Sequence, residues 1–283
     1  MSGILFNDVT KKFDDKIVLK NVSFQAENGI TLLISPNGTG KSTIIYLLMG
    51  NYRPNSGKIR VNGYDPVKNH RNAFINTSLM TEYPVYFGSG YVSDFIETFA
   101  MARNIAKQEI LEYLEYFNIT YILSDKIGRL SMGESQLMYI SCYLSGNFNL
   151  YIFDEPNSNL DQENRKKFAY AIKTKYENTG ATFLITSHIN DELSNYATNI
   201  LTVKNEQVIS HLSDVSSYAF MIKYRYMEKI PSGLDKFEYF IYKNYIIIKN
   251  AHLMEIIKEL NEQDIIEIRR ISGPMIDYYE NEK

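Results

Sequence analysis

The sequence predicts an α/β fold in which helices alternate with the strands of a mostly parallel sheet. The apolar run Ile30 to Ile34 is followed at once by a glycine-rich segment and a helical stretch, Ser42 to Met49. A second apolar strand, Asn149 to Phe153, precedes a predicted helix over Gln162 to Tyr176, and a third strand follows at Ala181 to Thr186. Strands that alternate with helices in this order are typical of parallel sheets.

An antiparallel β part is predicted at the N-terminus. Ile4 to Val9 and Val18 to Phe24 show partial alternation of apolar and polar residues, and Lys58 to Val61 is a further predicted strand. Asn62-Gly63 follows it, and both residues tolerate the positive φ of a tight turn. Asn72 to Ser78 is also predicted as a strand.

A helical insertion is predicted inside this α/β core, over about residues 88–146. From Val92 to Tyr116, apolar residues recur at three- and four-residue steps, and Met132 to Leu144 is predicted as another helix. The tail has a different texture, rich in Tyr, Ile and Lys, and predicts a small α+β appendage. Its predicted elements are strands at Phe237 to Tyr242, Tyr245 to Ile248 and Ile265 to Ile268 and a helix over His252 to Leu260. We therefore expect domains at 1–212 and 213–283.

Composition narrows the class of protein. The formal net charge is −3 with a pI near 5.9, so no strongly basic surface is indicated and no nucleic-acid partner is expected. Cys142 is the only cysteine, which fits a reducing cytosol. We see neither a signal peptide nor an apolar window approaching the roughly 20 residues that cross a bilayer. If the protein works at a membrane, a separate subunit must supply the spanning helices.

The glycine-rich segment between the buried strand and its helix predicts a phosphate-binding loop. Gly38 and Gly40 let backbone N–H groups approach a triphosphate where a Cβ would clash. Lys41 can reach the β- and γ-phosphates, and the Ser42 hydroxyl can ligate Mg²⁺. The usual pattern starts with glycine whereas this chain has Ser35, and we expect binding to survive the change. The alternative is an ordinary strand-to-helix turn.

Two carboxylates, Asp154 and Glu155, end the strand that begins at Asn149. Ligand sites of α/β sheets lie beyond the carboxyl ends of the strands, so both acids are expected beside the phosphate loop. Adjacent residues of an extended chain point in opposite directions, which allows two roles. Asp154 would hold Mg²⁺ and Glu155 would polarise the attacking water as general base. The alternative is a solvated strand end followed by a turn.

Leu130 to Glu134, with the letters LSMGE, stands before a helix and shortly before the acidic strand. It resembles the LSGGQ signature of the ABC ATPase family, with Ser131 and Gly133 matching and Met132 and Glu134 departing from it. In that family the serine and the following helix bind the γ-phosphate held by a second subunit. A helix N-terminus suits an anion, but Ser131 with Glu134 is also a plain capping box, and both readings stay open.

Further motifs extend the resemblance over about residues 1–210 in the order typical of the family. The Asp161 segment is similar to the D-loop, and His188 at a strand end to the switch histidine. Phe13 stands where the family has an aromatic that stacks on adenine, and Glu82 is the best occupant of the Q-loop, as a ligand of Mg²⁺ or its water. Without that context His188 is a polar strand end and Phe13 a half-buried strand residue.

The resemblance implies a P-loop NTPase (RecA-like) core that works as a dimer on ATP and Mg²⁺. Glu155, His188 and Lys41 would be catalytic, and Ser131, Gly133, Glu134 and Asp161 would contact the ATP of the opposite subunit. The metal ligands would be Ser42, Glu82 and Asp154. The residues expected to bind ATP are Phe13, Ser35, Pro36, Asn37, Gly38, Thr39, Gly40, Lys41, Ser42 and Thr43.

The function that this resemblance implies is an ATPase subunit that energises transport through a separate permease, on the inner face of the cell membrane. The C-terminal appendage and the simplified signature resemble bacterial exporter cassettes, so export is expected. The permease should dock near the aromatic cluster Tyr83, Tyr86, Phe87 and Tyr91. Two alternatives stay open: a non-transport ABC ATPase acting in assembly, and a module that holds ATP without turnover.

Overall fold

The structure, a computed structural model, describes residues 3–36, 38–81, 90–187, 192–211, 218–225, 230, 232–249, 253–260 and 264–281. Its strands, in chain order, are β1 (Ile4–Phe13), β2 (Lys16–Ala26), β3 (Ile30–Ile34), β4 (Ser56–Val61), β5 (Thr77–Met80), β6 (Leu150–Asp154), β7 (Thr182–Ser187), β8 (Asn199–Lys204), β9 (Gln207–His211), β10 (Tyr218–Tyr224), β11 (Tyr239–Tyr242), β12 (Tyr245–Lys249) and β13 (Ile265–Ser272). Its helices are α1 (Lys41–Leu48), α2 (His70–Phe74), α3 (Val92–Arg103), α4 (Lys107–Tyr116), α5 (Met132–Leu144), α6 (Gln162–Thr179), α7 (Leu253–Glu259) and α8 (Gly273–Asn281).

The described strands form three sheets, and the largest confirms the predicted α/β core. Its order is β5-β6-β7-β3-β8-β9, and the pairs β5–β6, β6–β7 and β7–β3 are parallel. All five residues of β3 are buried, as expected of a strand covered on both faces. The carboxyl ends of β3, β6 and β7 therefore meet at one edge, which is where the phosphate loop and the acidic pair begin.

The predicted antiparallel part is a three-stranded sheet with the order β2-β1-β4. Asn62 and Gly63, with φ of 50° and 81°, make the predicted tight turn after β4. One apolar cluster packs side chains of this sheet against α1 and the large sheet, with Phe6, Ile44 and Leu184 among its buried members. This packing holds α1, and with it the loop before it, against the end of β3.

The helical insertion is confirmed, but the segment Val92 to Tyr116 is two helices rather than one. Asn104, with φ of 53°, ends α3 and donates its N–H to the carbonyl of Met101 at 3.2 Å. Asparagine tolerates this left-handed conformation and stops a helix there. α3, α4 and α5 then pack together around Ile96, Ile110 and Leu114, which are fully buried.

The strand predicted at Asn72 to Ser78 is wrong. The chain forms the short helix α2 and then β5, which pairs in parallel with β6 from Thr77↔Leu150 to Met80↔Phe153. Ile75 is 69% exposed between the two elements, so it supplies no buried position to a strand. The boundary is set by pairing with a strand more than seventy positions further along the chain, which the local pattern does not contain.

Two compact units divide the chain, one of residues 1–193 with 201–209 and the other of 194–200 with 210–283. The second unit holds an antiparallel sheet of order β11-β12-β10-β13 and the helices α7 and α8, which confirms an α+β appendage. Ile222, Ile246 and Ile256 are buried in its core. None of the helices in the described ranges combines the length and apolar character that crossing a bilayer requires.

Candidate functional site

The predicted phosphate loop forms an open, left-handed turn between β3 and α1. Gly38 and Gly40 have φ of 80° and 118°, conformations that strongly favour glycine. A Cβ on Gly38 would meet nothing within 4 Å, whereas one on Gly40 would lie 3.3 Å from Val18. Gly40 precedes Lys41, the first residue of α1. The loop therefore offers space beside Gly38 and the positive end of a helix, the two features that an anion needs.

Ser35, the departure from the usual pattern, anchors this loop. It is buried, and its Oγ donates to the carbonyl oxygen of Val203 at 3.0 Å and hydrogen-bonds to Thr39 Oγ1. Thr39 Oγ1 in turn donates to the Pro36 carbonyl at 2.8 Å. The φ of Ser35 is not positive, so the backbone at this position does not require glycine. The hydroxyl ties the loop to β8 instead.

Lys41 and Glu155 form a buried ion pair at the centre of the site. They are 114 positions apart, yet Lys41 Nζ lies 2.7 Å from Glu155 Oε1. Both side chains are only 8% exposed. A buried charge that loses its partner costs several kcal/mol, so each of these groups depends on the other until a different counter-charge arrives.

The turn after β6 holds Glu155 in a constrained geometry. Glu155 has φ of 49° although it is not glycine and precedes Pro156, and such residues cost about 1–3 kcal/mol of strain. Its N–H donates to Thr186 Oγ1 at 2.9 Å, and that hydroxyl donates to Asp154 Oδ1 at 2.6 Å. The acids therefore do not simply alternate along an extended strand: Asp154 ends β6, and the chain then turns.

A pocket of about 670 Å³ lies against the phosphate loop. Its lining contains six of the predicted ATP-binding residues, namely Phe13, Gly38, Gly40, Lys41, Ser42 and Thr43, together with Asp14, Asp15, Lys16 and Val18. The volume lies within the range of about 300–1,000 Å³ that is usual for small-molecule sites. The pocket combines an aromatic side chain with glycine backbone and a lysine, which is the chemistry that a nucleotide requires.

Phe13 is a half-exposed ring at the edge of this pocket. Its exposure is 37%, and Lys11 Nζ lies 4.7 Å from the ring centroid. Tyr52 meets the ring edge-on, with centroids 5.2 Å apart. Phe13 is therefore held by neighbours of its own sheet region while remaining accessible from the pocket.

The predicted signature segment is a complete capping box at the start of α5. Ser131 Oγ accepts from the Glu134 N–H at 3.2 Å, and Glu134 Oε2 accepts from the Ser131 N–H at 2.8 Å and from Ser131 Oγ at 2.7 Å. Tyr121 donates its hydroxyl to Glu134 Oε1 at 2.9 Å. The hydrogen bonds from Ser131, and then the one from Tyr121, lower the pKa of Glu134. Glu134 is thus held as a carboxylate.

The signature helix is tied to the acidic strand within the same chain. Gln136 Nε2 donates to the Pro156 carbonyl oxygen at 2.6 Å in a buried position. A Cβ added to Gly133 would lie 3.3 Å from the Asn159 carbonyl oxygen. These contacts couple α5 to the turn that carries Glu155. Three residues with roles here, Gln136, Thr186 and Tyr121, were not predicted from the sequence. Of these, only Gln136 had a local signal, since it is a polar residue on the buried face of α5.

Asp161 caps α6. Its Oδ1 accepts from the Asn164 N–H at 2.8 Å, and it has the extended conformation of an N-cap residue. Ser131 and Asp161 therefore both have structural roles within this chain, which leaves their predicted contacts with a second subunit as predictions.

The structure brings only part of the predicted set together. Of the described residues, those lining the pocket against the phosphate loop include Lys41 and Ser42 but none of the signature residues Ser131 to Glu134, nor Asp161. Asn37, Glu82 and His188 lie outside the described residues, as do Tyr83, Tyr86 and Phe87, whereas Tyr91 is 48% exposed.

The chain is similar to known proteins of one family. Residues 19–158 match the family model described as ABC transporter. The zinc import ATP-binding protein ZnuC of Rickettsia conorii is 32% identical over 191 residues, which cover 65% of this chain and 76% of that protein.

Solved structures show the same fold. The structure of an ATP-binding subunit of an ABC transporter matches with a TM-score of 0.66 at 24% identity and covers 75% of this chain and 91% of its own. A dimeric bacterial ABC transporter cassette matches with a TM-score of 0.62 at 20% identity, covering 72% and 96% respectively. This chain therefore belongs to the ABC transporter ATP-binding proteins, a family of ATP-hydrolysing cassettes.

Proposed function

We propose that this ATPase is the motor subunit of a membrane transporter, in which paired cassettes bind and hydrolyse ATP with Mg²⁺ at their shared face. The observation that carries the proposal is the meeting of Lys41 and Glu155, distant in sequence, at 2.7 Å beside a left-handed glycine loop. A buried lysine whose counter-charge is a carboxylate can exchange it for a phosphate.

The ion pair supports a sequence of events in the chain's own residues. Without nucleotide, the Lys41 ammonium is neutralised by Glu155. An arriving triphosphate offers oxygens with more charge and binds the ammonium. The Glu155 carboxylate is then released from Lys41 and can orient a water molecule as general base. His188, by the family resemblance, would contact the γ-phosphate during this step.

The residues available for Mg²⁺ fit a hard cation. Ser42 is exposed on the lining of the pocket, and the half-buried carboxylate Asp154 is oriented by Thr186. Hydroxyl and carboxylate oxygens are the ligands that Mg²⁺ prefers beside substrate phosphates. Ser42 and Asp154 would hold the ion, with Glu82 as the further predicted ligand. When bound, the ion would neutralise charge developing on the phosphates.

We extend the proposal to a second cassette, which is either another copy of this chain or a related one. Ser131 is exposed, Met132 beside it is 74% exposed, and neither lines the nucleotide pocket of its own chain. The positive N-terminal end of α5, at which Ser131 lies, suits an anion that another subunit holds. Ser131, Gly133, Glu134 and Asp161 would meet the triphosphate held by the other cassette.

The membrane subunit would dock on the helical insertion. An apolar pocket of about 340 Å³ is lined by Tyr91, the residue before α3, by α3 residues that include Phe95 and Phe99, and by Ile127. Phe95 and Phe99 are held by Tyr139 and Tyr143 of α5, at centroid distances of 5.7 and 5.1 Å. The proposed occupant is a short amphipathic helix from the cytoplasmic side of the permease, because such grooves take one apolar helix face.

A charge placed in this pocket tests the docking. Thr98→Arg puts a guanidinium on the lining, and Met101→Arg puts the same group on α3 at a position 77% exposed and outside the pocket. We expect the Thr98 variant to lose co-purification with the membrane subunit and stimulation of its ATPase, while the Met101 variant keeps both. Equal behaviour of the two variants would contradict this docking site. A wild-type chain that hydrolyses ATP and is captured with no integral membrane protein would favour the assembly ATPase instead.

The finer parts of the proposal are its direction and its place in the cell. We propose that the ATPase lies on the inner face of the cell membrane and that transport is outward. The outward direction is supported by the resemblance of the C-terminal appendage and the simplified signature to exporter cassettes. The relative ZnuC, in contrast, is named as a zinc importer. Transport assays in inside-out and right-side-out vesicles decide it, since an exporter accumulates its cargo only in inside-out vesicles when ATP is supplied outside.

A further inference from the structure

A second pocket, of about 510 Å³, lies in the same compact unit as the nucleotide pocket. Its lining contains apolar residues, of which Leu47 and Ile59 are buried and Pro54 and Val67 are half-buried. The two pockets share no lining residue. Leu47 stands near the end of α1 whereas Lys41 begins it, roughly 9 Å along the helix axis. This second pocket is therefore a separate feature of the molecule.

The lining of the second pocket carries an excess of positive charge. Arg53, Lys58, Arg60 and Lys68 all line it and all are exposed. In the part of the chain that the structure describes, none of the four forms an ion pair. Four like charges around one cavity repel each other, and an anion relieves that repulsion.

The negative charge at this pocket is smaller than the positive charge. Asp65 is the one acid on the lining, and its Oδ1 accepts from the N–H groups of Val67 at 3.0 Å and Lys68 at 3.1 Å. The backbone thus already satisfies part of this carboxylate. The carbonyl end of α1 adds about half an elementary negative charge. Together these are smaller than the four cations, so the pocket keeps a positive potential.

We propose that this pocket binds a phosphate monoester that carries an apolar or carbon-rich portion. Arginine forms paired hydrogen bonds with phosphate oxygens, and Arg53 and Arg60 are the residues suited to that geometry. The half-buried side chains of Pro54 and Val67 would contact the carbon portion of the ligand. The proposal does not depend on the nucleotide site, because none of these residues belongs to it.

Two sources share this chemistry, a phospholipid headgroup at a membrane surface and a free phosphorylated metabolite. The probes are phosphatidylcholine vesicles with and without phosphatidic acid, and glycerol 3-phosphate in solution. A non-hydrolysable ATP analogue, present at saturation, keeps the phosphate loop from binding either probe. The pocket variant is Arg53→Gln/Arg60→Gln, and the matched control, Lys20→Gln/Lys166→Gln, removes two charges from exposed lysines outside the pocket.

We expect at least one probe to bind the wild-type chain, and the pocket variant to bind it about tenfold more weakly or worse. The control should bind as the wild type does, and both variants should keep wild-type ATPase activity. Loss in the vesicle arm alone identifies a lipid headgroup, and loss in the glycerol 3-phosphate arm alone identifies a metabolite. Failure of both probes to bind, or equal weakening by the control variant, overturns the proposal.

Discussion

In the phosphate-loop half of the candidate site (35–43 with Asp154 and Glu155), the charged pair Lys41 and Glu155 is buried within one chain. In the signature half (131–134 with Asp161), the side chains of Ser131, Met132 and Asp161 are exposed. In the first half, Lys41 and Glu155 neutralise each other at 2.7 Å. In the second, Ser131 and Glu134 satisfy each other at the surface of α5. The first half is thus assembled by the folding of a single chain, whereas under the proposed function the second half meets a triphosphate only through a second cassette.

Removing Lys41 should break the buried half most severely. In Lys41→Ala we expect ATP affinity to fall by about a hundredfold or more, because the variant lacks the ammonium that would bind the phosphates in place of Glu155. The free energy of unfolding should also fall by about 3–5 kcal/mol, since the buried Glu155 carboxylate loses the ammonium that neutralises it. Isothermal titration and urea unfolding measure the two effects.

Lys20→Ala is the matched control for that variant, because Lys20 is exposed and outside the pocket. Its effect on unfolding should stay within about 0.5 kcal/mol. Unchanged ATP affinity in Lys41→Ala would contradict the assignment of the phosphate loop.

The Glu155→Gln variant separates binding from chemistry in the same half. An amide keeps the size of the side chain and can still accept from Lys41, so ATP should bind. Without the general base, we expect phosphate release to slow by about 10²–10⁴-fold and the ATP-bound dimer to accumulate. Phosphate release and size-exclusion chromatography with ATP measure these, with the exposed Glu163→Gln as control. Normal turnover would remove Glu155 from the mechanism.

Ser131→Arg addresses the exposed half. A bulky cation at the N-terminus of α5 should block approach of a second cassette, so hydrolysis is lost while ATP still binds. Loss of the cap itself should cost about 1 kcal/mol, which Ser131→Ala measures alone. If the arginine variant fails to bind ATP as a monomer, the signature segment is needed for folding rather than for pairing.

Glu134→Gln tests what the negative charge of the signature half contributes. Because hydrogen bonds from Ser131 lower the pKa of Glu134, the carboxylate stabilises the helix start above its unfolded pKa. That stability is lost as pH falls through the folded pKa. Glutamine also forms a capping box, so the variant should be less sensitive to acid. Without a negative charge facing phosphate, ATP-driven pairing should strengthen by about threefold to tenfold.

Acid titrations of unfolding and sedimentation with ATP measure these two effects. Glu115→Gln, an exposed acid on α4, is the control. Identical pH dependence and pairing in the wild type and Glu134→Gln would show that the carboxylate has no influence on the shared face.

Ser35→Gly has the smallest expected effect. The family glycine would restore the usual pattern but remove the hydrogen bond to the Val203 carbonyl. We expect a loss of about 1 kcal/mol in unfolding free energy and less than about a threefold change in ATP affinity. A large gain in affinity would mean that Ser35 impairs the loop rather than anchoring it.

Sequence reasoning succeeded where the determinants are local. The order of strand, glycine loop and helix, the turn at Asn62-Gly63 and the capping box at Ser131 depend on neighbouring residues, and each is present. It failed where distant pairing decides. The Asn72 to Ser78 segment forms α2 and the start of β5 because β5 pairs with β6. Strand β10 was not predicted, although it pairs with both β12 and β13 in the C-terminal sheet.

The candidate site follows the same division. The residue types at 38–42 and 154–155 were enough to predict a phosphate loop and an acidic strand, because glycine conformations and the ends of apolar strands have strong local signatures. Only the folded chain decided that Lys41 is paired with Glu155, that Thr186 links Asp154 to the backbone of Glu155, and that Gln136 holds the Pro156 carbonyl. Such contacts join residues distant along the chain, and packing of the sheet against the helices brings them within hydrogen-bonding distance.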